Sequence, residues 1–206
     1  MHSVSKSAIA RPRAPSPDTA ARIVEEAQSL ALAHGMDGFT MEQLAAHAGV
    51  SRRTLFNYFA SKADAILGGS AALADDQRAR FVAGGPTGDL VADLGHIVTE
   101  ILDVRGTSRE QLTRIRALLR TEPRLLVAAQ EGIHRPVEEL TDAIVERDGS
   151  ASAALHAALL VRILVGVLDV AVDRFLDNTR LGDGTDDLAA LFLDTLAHAR
   201  ALVAPH

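Results

Sequence analysis

The stretch from Phe39 to Lys62 constrains the fold more tightly than any other, because it starts and stops short helices at set positions. Thr40 followed by Gln43 forms a capping box, in which each side chain satisfies a free amide of the other residue. Phe39 before the cap and Leu44 within the first turn make a hydrophobic staple, so a helix runs from Met41 to about Ala48. Gly49 stops it, since glycine enters the left-handed conformation without a steric penalty. Ser51 caps a second helix, Arg52 to Phe59, with Val50 and Leu55 as its staple. Ser61 opens a third, with Asp64 in the first turn to suit the helix dipole.

The second of these helices has two unlike faces. At about 100° per residue, Leu55 and Phe59 share one side while Arg53, Thr54 and Asn57 share the other. The apolar side must pack on the rest of the unit, which turns guanidinium, hydroxyl and amide groups outward. Arginine can donate two hydrogen bonds to guanine, asparagine can pair bidentately with adenine, and threonine can meet a phosphate or a thymine methyl. A helix-turn-helix places the N-terminal part of such a helix in the major groove. Tyr58 and Lys62 flank it, within reach of backbone phosphates that fix register and not sequence. An ordinary helical hairpin with solvated arginines shares the spacing. The cap, the Gly49-Val50 turn, the run Ser51-Arg52-Arg53-Thr54 and the aromatic cluster together favour DNA.

These residues also carry a family resemblance. Thr40 to Lys62, with Gly49-Val50-Ser51, Thr54-Leu55, Tyr58-Phe59 and Ser61-Lys62, resembles the DNA-binding domain of tetracycline-repressor (TetR) family regulators. The specific motif covers about residues 20–66, and the remainder is similar in length and helical layout only. The resemblance implies a three-helix reading head, a helical ligand-binding and dimerisation domain, and a homodimer that leaves its operator when a small molecule binds. By position, Thr40, Ser51, Thr54, Tyr58 and Lys62 correspond to phosphate contacts, and Arg52, Arg53 and Asn57 to base readers. Many members have tyrosine where this chain has Phe56, so a phosphate contact through that hydroxyl is missing here.

Charge divides along the chain in the sense that such a head requires. Residues 1–62 carry seven basic and five acidic side chains, a net of +2, and the remainder carries 14 and 22, a net of −8. A basic head on an acidic body accounts for a total of −6 that would otherwise argue against nucleic acid. The absence of cysteine excludes disulfide scaffolds, thiol catalysis and cysteine-ligated zinc. No apolar core of a secretory signal follows the first basic residues, and no run approaches the roughly 18 uninterrupted apolar residues of a membrane span. The expectation is a cytoplasmic protein with no membrane partner.

Read in order, the chain is all-α with about nine helices: an N-terminal three-helix helix-turn-helix domain and a C-terminal helical ligand-binding and dimerisation domain. Residues 1–17, rich in serine, alanine and proline, form a flexible basic arm. The arm is either a dispensable tail or a minor-groove contact through Arg11 and Arg13. The reading head spans 18–66. Its first helix is capped by Asp18 and ends at Gly35, with Ile23, Ala27, Leu30 and Ala31 inward. The body spans 67–206. The helix from Ser61 is expected to continue to about Val82 and so to join head and body as one lever. Further helices are expected at about Asp89–Val104, at Ser108 to Arg120 with a Ser108–Gln111 capping box, and from Pro123 to about Arg147, kinked at Pro136.

The last two helices, Ala151 to about Asn178 and Asp186 to Val203, are apolar on more sides than one neighbour covers. They are expected to pair with their copies through Leu168, Val172, Phe175, Leu188, Leu191, Phe192, Thr195, Leu196 and Ala199. The competing reading is that neighbouring helices alone cover them. An effector pocket is placed among residues 65–177, with Leu94, Ile97, Ile101, Leu118, Val127, Gln130, Ile133, His134 and Leu164 as its lining, and His96 and Arg162 as further polar candidates. Such a lining suits an apolar or amphipathic molecule. Arg116 to Pro123 is similar to a segment of actinobacterial family members proposed to sense acyl-CoA-like ligands, so the effector is of unknown identity, acyl-like at most.

No metal site, cofactor or catalytic group is expected, and the chain is not read as an enzyme. The histidines lack metal spacing, and Asp169 with Asp173 reads as ion pairing with Arg162, Arg174 or a partner-chain arginine. The function expected is a ligand-responsive DNA-binding regulator, a repressor on a palindromic operator. The alternative is a helical ligand-binding or protein-interaction module that reads no specific DNA.

Overall fold

The computed structural model describes residues 17–69, 73–106, 108–177 and 187–203. Within them the chain is all-α. The elements are α1 (Pro17–His34), a 3-10 turn at Met36–Gly38, α2 (Met41–His47), α3 (Arg52–Tyr58), α4 (Lys62–Leu67), α5 (Asp75–Val82), α6 (Leu90–Arg105), α7 (Arg109–Thr121), α8 (Pro123–Asp148), α9 (Ala153–Leu176) and α10 (Leu188–Val203). The basic arm expected over 1–17, with Arg11 and Arg13, lies outside the described residues except for Pro17, which opens α1.

Local hydrogen bonds set most of these boundaries where the capping residues predict them; the exception is α1, where Asp18, expected as the cap, lies within the first turn behind Pro17. The Thr40 hydroxyl accepts the Gln43 amide at 3.2 Å, and Gln43 Oε1 accepts the Thr40 amide at 2.8 Å. Ser108 and Gln111 repeat the arrangement at the start of α7. Ser51 caps α3 through the Thr54 amide at 3.0 Å, and Ser61 caps α4 through the Asp64 amide at 3.1 Å. Each such cap satisfies an amide that the helix itself leaves without a partner. Pro123 begins α8, which runs on through Pro136 to Asp148.

One expected helix is two. The segment from Ser61 does not continue to Val82: it stops at Leu67, and Gly68 and Gly69 follow with φ of 81° and 79°. The amides of both glycines turn back to the Asp64 carbonyl. A left-handed glycine pair ends a helix more firmly than apolar periodicity can extend it. The described chain therefore has ten α-helices where about nine are expected, and α4 is not a continuous lever into the body.

Two apolar cores form. The head core gathers Ile23, Ala27 and Ala31 of α1, Leu44 of α2, Leu55 of α3 and Ile66 of α4, with Phe39 and Phe59 beside them. It also takes in Leu118 of α7 and Leu125 of α8, both fully buried, so the body supplies part of the head's interior. The body core joins Phe81, Leu94 and Ile144 to the inner faces of α9 and α10. Its polar centre is the fully buried Asp93. Arg147 donates to it at 2.8 Å, and the Thr87 amide and hydroxyl donate at 2.7 and 2.6 Å. The same guanidinium lies over the Phe81 ring and reaches the Phe81 carbonyl at 3.1 Å. One ion pair thus ties the end of α5, the start of α6 and the end of α8.

The residues expected at a dimer contact lie in or against the chain's own core. Phe175, Leu188, Leu191, Phe192, Thr195 and Leu196 are buried inside their own chain, and Leu168, Val172 and Ala199 are half-buried against the same core. A helix that is apolar on nearly every side gives no rotational signal, so only its neighbours decide which face turns inward. What remains exposed is Leu155, Leu159, Ile163, Val165 and Val170 on α9, with Leu193 and Leu202 on α10. α9 alone among the described helices is long and apolar enough to cross a membrane by length and composition, and 28% of its most apolar window is buried within the chain. It packs against α8 and α10 on its inner side.

Arg147→Ala leaves the Asp93 carboxylate buried without its cation, and urea unfolding should show a loss of about 3–5 kcal/mol. Burial alone would raise the Asp93 pKa, but hydrogen bonds from the Thr87 hydroxyl and amide and from Arg147 outweigh it and hold the pKa below its ordinary 3.8. The stability this contributes is complete above the ordinary value and lost as pH falls through the lowered one. Asp93→Asn should therefore flatten the acid limb of the stability–pH curve below about pH 4.

Candidate nucleic-acid interface

The reading unit is held from behind. Gly49, at φ 63°, turns the chain out of α2, and the Val50 amide returns to the Ala45 carbonyl at 2.9 Å. Arg22 of α1 donates to the Ala48 carbonyl at 2.9 Å, closing the end of α2. Gln28, fully buried in α1, donates to the Ile66 carbonyl of α4 at 3.0 Å. Leu55 is fully buried and Phe59 nearly so. The rotation of α3 is therefore fixed, and its opposite side faces solvent.

On that side Arg53 and Asn57 are exposed and make no hydrogen bond or ion pair with any described residue. They stand one helical turn apart on one face. Thr40 and Ser51 are exposed, and Thr54 is half-buried with its hydroxyl 2.8 Å from that of Ser51. Tyr58 is half-buried and stacks on Phe59 with ring centroids 6.2 Å apart. Arg53, Thr54 and Asn57 thus share one face of α3, with Ser51 at its N-terminus, and Thr40 caps α2.

Two of the proposed contacts are engaged elsewhere. The Arg52 guanidinium pairs with Glu42 of α2 at 3.0 Å and lies over the exposed Phe56 ring. A backbone hydrogen bond and then the Arg52 charge hold the Glu42 carboxyl below its usual range. Both partners are exposed, so the pair is weak and open to competition from a phosphate or base. Lys62 is the larger departure. Its ammonium turns inward, donating to the Met36 carbonyl at 2.5 Å and the Phe39 carbonyl at 2.8 Å, and sits over the Phe39 ring. It ties α4 to the turn that precedes α2.

The residues expected to line an effector pocket do not converge. Leu94, Ile97 and Leu164 are in the body core, with Ile101 packed against it, whereas Leu118 belongs to the head core. Val127, Gln130, Ile133 and His134 are exposed along α8. His134 lies 3.4 Å from Glu138, and both further polar candidates, His96 and Arg162, are exposed. Among the described residues no cluster of histidine, aspartate and glutamate is arranged to hold a metal ion.

What the sequence reading misses is the elbow between α7 and α8. Besides inserting Leu118 and Leu125, it sends Glu122 Oε1 to accept the Met36 amide at 3.1 Å. Arg124 approaches Asp37 at 3.3 Å, and Arg114 approaches Glu25 at 4.0 Å. The local signal for the elbow, Glu122-Pro123 between two apolar helices, marks a turn but not what the turn touches.

Comparison with known families agrees with this geometry. Residues 23–66 match the family described as bacterial regulatory proteins, tetR family, a span from the middle of α1 almost to the end of α4. The head of the chain thus matches the tetR family. No curated protein matches the chain. Among solved structures, a protein assigned as a TetR-family transcriptional regulator from Mesorhizobium loti MAFF303099 superposes with a TM-score of 0.50. It is 17% identical over 92% of this chain and 98% of its own, a likeness of fold. A head that matches this family thus sits on a body whose helical layout is similar to that of the solved structure.

Lys62→Ala removes a charged donor from two backbone carbonyls and should lower the stability of the chain by about 1–3 kcal/mol, measured by thermal melting. A melting curve unchanged from wild type would contradict its inward role.

Proposed function

We propose that this chain is a cytoplasmic transcriptional repressor that binds a palindromic operator as a homodimer and releases it when a small apolar or amphipathic molecule binds the body. The observation that carries the reading is the pair Arg53 and Asn57, exposed and unengaged on α3 while Leu55 and Phe59 hold the helix in the core. Arg53 and Asn57 read bases in the major groove, and Arg52 joins them when it leaves Glu42. Thr40, Ser51, Thr54 and Tyr58 meet phosphates and set register. Lys62 supports the head from within instead of touching DNA.

Two half-sites about one helical turn apart require two heads on one twofold axis. The exposed apolar faces of α9 and α10 offer the surface on which two copies join. A molecule bound in the body acts on the head through the elbow, because Leu118, Leu125 and Glu122 belong to both parts. An effector that binds more tightly when the elbow is displaced shifts the population towards heads that no longer fit the operator.

Selection from random duplexes should enrich a palindrome. On that site Arg53→Ala or Asn57→Ala should cost about 1–3 kcal/mol and relax preference at one position of each half-site. Enrichment of no sequence by the wild-type chain would favour a helical binding module that does not read DNA.

A further inference from the structure

The face of α9 that the body leaves uncovered is a regular stripe of Leu155, Leu159, Ile163, Gly166 and Val170, spaced by three and four residues. The opposite face, including Ala157, Leu164, Ala171 and Phe175, is buried in the core. On one flank of the stripe stand Arg162 and Asp169, two turns and about 10 Å apart along the axis. Both are exposed. Arg162 donates only to the Ala158 carbonyl of its own helix, at 2.9 Å, and Asp169 has no hydrogen bond or ion pair with any described residue. Other charges of this helix are satisfied inside the protomer: Asp173 pairs with Arg116, and Arg174 pairs with Asp194 at 2.7 Å.

We infer that a second copy of the chain covers this stripe with its own α9 running antiparallel, the two helices crossing at Val165 and Gly166, so that Arg162 of each protomer pairs with the partner's Asp169. The inference rests on the dimer reading above and gives it a register. A twofold axis perpendicular to two antiparallel helices keeps each flank on its own side and exchanges positions equally far above and below the axis. Arg162 and Asp169 are equally far from the midpoint between Val165 and Gly166, so one register makes the pair twice. Parallel pairing would instead set Arg162 level with Arg162 and Asp169 level with Asp169.

Gly166 fits the crossing. A Cβ built there meets nothing within 4 Å in the protomer, so the chain's own packing does not require glycine. Inside a helix, glycine is less favourable than alanine by about 1 kcal/mol. Close approach of a second backbone at this point accounts for it. The charged flank also distinguishes the face from one suited to lipid, where an unpaired arginine and aspartate on the contact side are costly.

Sedimentation velocity on the full chain tests this with Arg162→Asp, Asp169→Arg and the double exchange, each checked for folding by melting. The wild-type chain should be a dimer, and each single change should raise its dissociation constant about tenfold or more, by opposing like charges twice. The double exchange should restore it to within about threefold. Gly166→Leu should loosen the dimer while leaving the melting of the protomer intact. A dimeric wild type whose single variants are unaffected, or whose double variant is no tighter than the weaker single, overturns the register and leaves the dimer reading standing. A monomeric wild type, whether or not it floats with lipid vesicles, overturns both.

Discussion

Leu55 and Phe59 leave α3 one rotational setting. Both are sealed in a core built by α1, α2 and α4, and moving either to solvent would expose an aromatic or aliphatic surface worth about 2–3 kcal/mol. The outward direction of Arg53 and Asn57 follows from that burial, as does the half-buried position of Thr54 and Tyr58. The head needs no extended binding cleft. It needs a short helix whose apolar side is fully committed, so that its polar side faces whatever duplex approaches.

That core is not closed by the head alone. Leu118 and Leu125 complete it from the body, and Glu122 satisfies the amide of Met36 in the turn that Lys62 also grips from α4. The turn at Met36–Gly38 is therefore held by the body on one side and by the reading unit on the other. By contrast, the covalent route through α4 is interrupted at Gly68 and Gly69. Contact between packed side chains, more than chain continuity, joins the state of the body to the position of α3.

How much of this could be read from the sequence depends on the range of the forces involved. Caps are local: Thr40 with Gln43, Ser51 with Thr54, Ser61 with Asp64 and Ser108 with Gln111 each satisfy amides three residues away, so their helices begin where the letters place them. The inward stripe of α1 is equally legible because its other side is polar. The rotation of α9 and α10 is not, since apolar residues surround them and the choice of face belongs to α6 and α8. The polar candidates on α8, Gln130 and His134, face outward, because the turn at Pro123 and the packing of Leu125, Ala143 and Ile144 set that helix's inner side. Lys62 was legible as a cation beside the reading helix, but its direction depends on two carbonyls more than twenty residues earlier. The elbow was visible only as a turn.

The central claim is that α3 enters the major groove because its other side has no freedom to turn. Methylation interference on a selected duplex tests it directly, since dimethyl sulfate modifies guanine N7 in the major groove and adenine N3 in the minor groove. The account predicts that guanine N7 methylation blocks binding in two clusters about one helical turn apart, at the positions α3 covers. Interference confined to adenine N3, or absent from both grooves, would contradict it.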